Sequence, residues 1–75
     1  MWLVVYDLPR TPASARRTFY NHLEAYIREN SPKFRRIVRS AIETEDKAFA
    51  DFIREEVKRA GGKVFVYKVF TCVKG

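Results

Sequence analysis

Residues 33–43, KFRRIVRSAIE, decide how this chain is read. As one strand, alternation would put Phe34, Arg36, Val38, Ser40 and Ile42 on one side and Arg35, Ile37, Arg39, Ala41 and Glu43 on the other. Neither side is purely apolar, as packing on a core would require. A break or bulge near Ser40 resolves the conflict. It predicts two short strands, about 34–39 and 41–44, from one stretch.

Upstream, residues 2–6, WLVVY, are continuously apolar and suit a central strand. A helix follows over residues 12–29, with Thr11 as N-cap and Pro12 in the first helical position. Ala15, Phe19, Leu23, Tyr26 and Ile27 recur there at helical spacing, and Asn30-Ser31-Pro32 ends the run. Downstream, Thr44-Glu45-Asp46 can cap a second helix, whose apolar stripe is Ala48, Phe49, Phe52, Ile53, Val57 and Ala60. Gly61-Gly62 closes it. Residues 63–73, KVFVYKVFTCV, then read as a strand about twice the usual length, whose far end, 69–73, is expected to pair beyond the chain's own sheet.

With the break, the order is βαββαβ. It predicts a single α+β domain, residues 1–75, of ferredoxin-like type: an antiparallel sheet with two helices on one face. The other face would lie open, and the apolar residues on it call for a cover. Composition points the same way. The chain has 75 residues, is 47% hydrophobic and holds six Phe, four Tyr and one Trp, more apolar surface than one small core needs. A face-to-face homodimer is the simplest expectation.

The net charge is +6 and the excess is uneven. Residues 1–42 carry eight basic side chains against three acids; residues 43–75 carry seven against six. Such a one-sided excess is the electrostatic footprint of a polyanion, with nucleic acid the leading candidate. The lone cysteine, Cys72, allows no internal disulfide, and with no leader-like segment the expected location is cytoplasmic. No apolar run is long enough to span a bilayer, so no membrane partner is expected.

Asp7, at the end of the first strand, either shapes the turn before Leu8-Pro9 or begins a site. One carboxylate is a poor Mg²⁺ site. Two copies of Asp7 meeting at a two-fold axis could hold a metal that polarises a phosphodiester and activates water. Arg16, Arg17, Arg35, Arg36 and Arg39 are the candidate nucleic-acid contacts, since the planar guanidinium fork suits phosphate oxygens. The strand arginines alternate sides, so not all five can meet one ligand. Tyr6, Phe65 and Tyr67 could stack bases, but core or dimer packing fits them better. His22 has no His or Cys at ligand spacing, and Cys72 reads as a small apolar strand residue.

Three segments resemble the small CRISPR-associated protein two family, a subunit of the spacer-acquisition machinery of antiviral defence. VVYDLP at 4–9 is similar to that family's hydrophobic run ending Tyr-Asp-Ile-Pro. Arg16-Arg17 sits where basic residues often occur in it, early in the first helix. Residues 36–43, RIVRSAIE, resemble its Arg-Val-Gln-x-Ser-Val-Phe-Glu stretch, with Val38 in place of glutamine and Ile42 in place of the aromatic. The resemblance implies a homodimer that binds the backbone of duplex DNA or RNA. It also implies paired Asp7 residues holding Mg²⁺, or Mn²⁺, for endonuclease activity. The alternatives are a non-catalytic bridge between integrase subunits on DNA and a toxin-like or RNA-binding module of the same fold.

Overall fold

The computed structural model describes residues 1–69. Its elements run β1 (Trp2–Asp7), α1 (Ala13–Asn30), β2 (Phe34–Val38), β3 (Ala41–Thr44), α2 (Lys47–Arg59) and β4 (Lys63–Lys68). The strands form one antiparallel sheet in the order β2-β3-β1-β4. Four antiparallel strands and two helices in this order make a small α+β fold compatible with the ferredoxin-like arrangement.

Register divides the sheet into two faces. Val4 pairs with Ile42 and Val66, and Tyr6 with Val64. Val4, Tyr6 and Ile42 are buried in one cluster with Phe19 and Leu23 of α1 and Phe49, Ala50, Ile53 and Val57 of α2. Both helices therefore cover this face with the apolar stripes legible in the sequence, except in α2, where Ala48 is exposed and Ala50 is buried in its stead. Each large side chain fully buried there contributes about 1.5–3 kcal/mol.

The opposite face carries two rows. Val38, Ala41, Val5 and Phe65 form one; Arg35, Glu43, Leu3 and Tyr67 form the other. Among the described residues Phe65, Tyr67 and Val38 are each more than half exposed, while the small Ala41 between them is buried. Asp7 alternates onto this same side, opposite Lys63 in the register.

The expected break in 33–43 is present, with a register shift between Arg36 and Val38. The strand stops at Val38, and Arg39-Ser40 form the turn to β3. The shift corrects one assignment. Val38 does not share a face with Phe34 and Arg36, because the extra residue at Ile37 turns it to the side of Ala41 and Val5. The first helix also starts later than expected: Pro12 is extended and flanks the helix, and no side chain caps its start. Its end is as read, with Ser31 in the left-handed region and its N–H donating to Ile27 O. Asp46 caps α2 by accepting from the N–H groups of Ala48 and Phe49.

The last strand follows the expected alternation, Val64 and Val66 inward and Phe65 and Tyr67 outward. Val69 N–H donates to Met1 O just past its end. The expectation for its far end falls largely outside the described residues. Among those described, no helix is long and apolar enough to cross a membrane.

Candidate nucleic-acid interface

The site grows from the join between the end of β1 and the β2–β3 turn. Tyr6 N–H donates to Ser40 O at 2.9 Å, and its buried hydroxyl donates to Arg39 O at 3.0 Å. Arg36 donates to Arg39 O at 2.9 Å and, more distantly, to the Tyr6 hydroxyl at 3.4 Å. The turn is thus pinned at three points, and Arg39 is held against the end of β1. Phe19 packs on the Tyr6 ring at 5.3 Å, which fixes the start of α1 over the same spot. Burial is the main cause that pushes the Tyr6 hydroxyl up from 10.0 to about 12; neighbouring Tyr20 adds to it and Arg36 opposes it.

Two adjoining hollows open around this join. The smaller, about 240 Å³, is walled by Tyr6, Asp7 and Leu8 and lined by Arg10, Arg16, Tyr20, Arg39 and Ser40. The larger, about 480 Å³, is lined by Arg16, Tyr20, Arg36 and Arg39. Arg16, Tyr20 and Arg39 belong to both. Four guanidiniums thus gather at one end of the sheet, and none makes an ion pair with a carboxylate among the described residues. Other cations are matched locally: Arg35 with Glu43 at 3.1 Å, Lys47 with Asp51 at 3.2 Å and Arg59 with Glu56 at 2.8 Å.

The structure therefore divides the candidate residues. Asp7, Arg16, Arg36 and Arg39 come together. Arg35 lies on the open sheet face in its pair with Glu43, and Arg17 is exposed on α1 without lining either hollow. Arg10 and Tyr20 belong to the site and were not singled out from the sequence. A signal for both existed. Arg10 lies in the segment that follows Asp7, and Tyr20 stands four residues after Arg16, hence on the same helix face.

Asp7 is exposed, and its carboxylate makes no hydrogen bond or ion pair among the described residues. Nothing there marks it as a turn former. Among the described residues no three His, Cys, Asp or Glu side chains gather. A single carboxylate in a hollow lined by three arginines does not fit Mg²⁺ or Mn²⁺ within one chain, since one carboxylate is too few and the arginines repel a cation. A metal here requires a carboxylate from a second copy.

His22 takes a structural part. Its Nδ1 lies 2.7 Å from Oε1 of buried Glu56, whose Oε2 accepts from Arg59, so the pair bridges α1 and α2. No family model, curated protein or solved structure matches the chain.

Proposed function

We propose that this chain is a nucleic-acid-binding protein of the CRISPR-adaptation type: a cytoplasmic, ferredoxin-like homodimer that grips the sugar–phosphate backbone without reading base edges. One observation carries the reading. Arg10, Arg16, Arg36 and Arg39 line adjoining hollows in which Asp7 is the one acidic residue, and none of the four forms an ion pair among the described residues. Guanidiniums gathered this way repel one another, and a polyanion is the ligand that relieves the repulsion. Two hydrogen bonds to the Arg39 carbonyl and one to Ser40 hold the turn in place, so the grip is formed before the ligand arrives. Exposed Val38, Phe65 and Tyr67, with half-buried Val5 and Leu3 on the same face, support the homodimer. A bridge between integrase subunits on DNA needs no more than this grip.

The test is the salt dependence of binding to duplex DNA and duplex RNA. Replacing both Arg16 and Arg39 with alanine should weaken binding and reduce the slope of log K against log salt by about 2. An unchanged slope would remove both residues from the interface.

A second, catalytic reading has one observation in its favour. Asp7 is unengaged and lies on the same sheet side as Leu3 and Val5. A second copy packed on that side can bring two such carboxylates together, and a Mg²⁺ or Mn²⁺ ion held between them would polarise a phosphodiester. Under this reading Asp7→Ala abolishes metal-dependent cleavage and leaves backbone binding intact. Cleavage that persists in purified Asp7→Ala protein would rule this reading out.

A further inference from the structure

The two hollows differ in what they can hold. The larger is shallow and open, lined by Arg16, Arg36 and Arg39, and suits a run of backbone passing over it. The smaller is more enclosed. Tyr6, Asp7 and Leu8 form its wall, while Arg10, Arg16 and Arg39 face it together with the hydroxyl-bearing Ser40 and Tyr20. A phosphodiester offers two free oxygens and one negative charge. A phosphomonoester offers three strong acceptor oxygens and a charge of about −1.5 to −2 at neutral pH. Three arginines lining one walled hollow match the second better, because three guanidiniums can place charge-assisted hydrogen bonds on three different oxygens. The hollow's volume, about 240 Å³, admits a phosphate with its sugar and little more. It also adjoins the larger hollow through shared Arg16, Tyr20 and Arg39, so a strand lying in the larger can end in the smaller.

We infer that the smaller hollow is a strand-end site, which takes the terminal phosphomonoester of a nucleic-acid strand whose preceding backbone lies in the larger hollow. This inference rests on the proposed nucleic-acid binding and adds to it which part of the strand is recognised.

The residues allow the inference to fail separately from the reading beneath it. Arg10 lines only the smaller hollow and Arg36 only the larger. Short duplexes ending in 5′-hydroxyl, 5′-phosphate or 3′-phosphate are titrated against the full chain at one fixed salt concentration. A duplex with one of the two terminal phosphates should bind about tenfold tighter than the hydroxyl-ended one, the scale of a charge-assisted hydrogen bond. Arg10→Ala should erase that preference and leave the hydroxyl-ended duplex nearly as well bound. Arg36→Ala should weaken all three duplexes alike. Equal affinity for the three duplexes, or a preference that survives Arg10→Ala, overturns the strand-end site while leaving backbone binding standing. Absence of binding to every duplex overturns both.

Discussion

Tyr6 joins the sheet's interior to the candidate interface through a single side chain. Its ring packs on Phe19 in the core and its hydroxyl reaches the carbonyl of Arg39, thirty-three positions along the chain. Tyr6→Phe keeps the packing and removes the bond, so the expected loss in urea unfolding is about 1 kcal/mol. The same hydroxyl makes stability depend on alkaline pH. Its affinity for the proton is higher in the folded chain, about 12 against 10.0, chiefly because burial penalises the phenolate. The folded state is therefore favoured by neutral Tyr6 at every pH below 10, and that contribution is lost as pH rises from 10 towards 12. Denaturation midpoints across this window should fall more steeply for the native chain than for Tyr6→Phe; parallel profiles would contradict the assignment. The sequence shows Tyr6 as a strand residue suited to core or dimer packing, but not the partner of its hydroxyl, which is fixed only when the β2–β3 turn folds back onto β1. Arg10 escaped the sequence reading for the same reason. A charge in a loop acquires a role from neighbours that only the tertiary fold brings to it.

Among the elements, the corner between α2 and β4 shows how two adjacent glycines serve different ends. Gly61 sits at φ 84, in the left-handed region that a side chain resists. Gly62 lies outside that region, but a Cβ there would stand 2.5 Å from the carbonyl oxygen of Asp7 and 3.0 Å from Val57. Gly61-Gly62 is legible as a helix stop. The close approach to Asp7 is not, because it arises from pairing between β1 and β4. Gly62→Ala forces the backbone of Asp7 to move, and a loss of about 1–3 kcal/mol is expected in chemical denaturation. A neutral effect would mean that the corner yields at no cost. The break in 33–43 illustrates the same division. A conflict of pattern reveals it in sequence, since no single strand could bury both sides. The position of the extra residue, and with it the face on which Val38 lies, depends on the partner strand's register.

For the whole molecule the uneven distribution of apolar surface matters most. One sheet face is closed by two helices; the other offers Val38, Phe65 and Tyr67 to solvent, with half-buried Leu3 and Val5 between them. Under the proposed homodimer, Phe65→Glu should convert the dimer to a monomer in sedimentation velocity at micromolar concentration without loss of helical signal, because Phe65 contributes nothing to the core. A native chain that sediments as a monomer under those conditions would overturn the homodimer itself.

The register shift at Ile37 has a consequence for what the sheet can do at its margin. Beyond β2 no further strand of the described chain is paired, so its outward amides and carbonyls stand ready to recruit a neighbour. A kinked rim bearing Arg36, which forms no ion pair among the described residues, makes a poor template: two such rims brought side by side would be out of step, and like charge would meet like. Ladder-like polymerisation through that margin is thereby discouraged, and more weakly in concentrated salt, where the repulsion fades within a few ångströms.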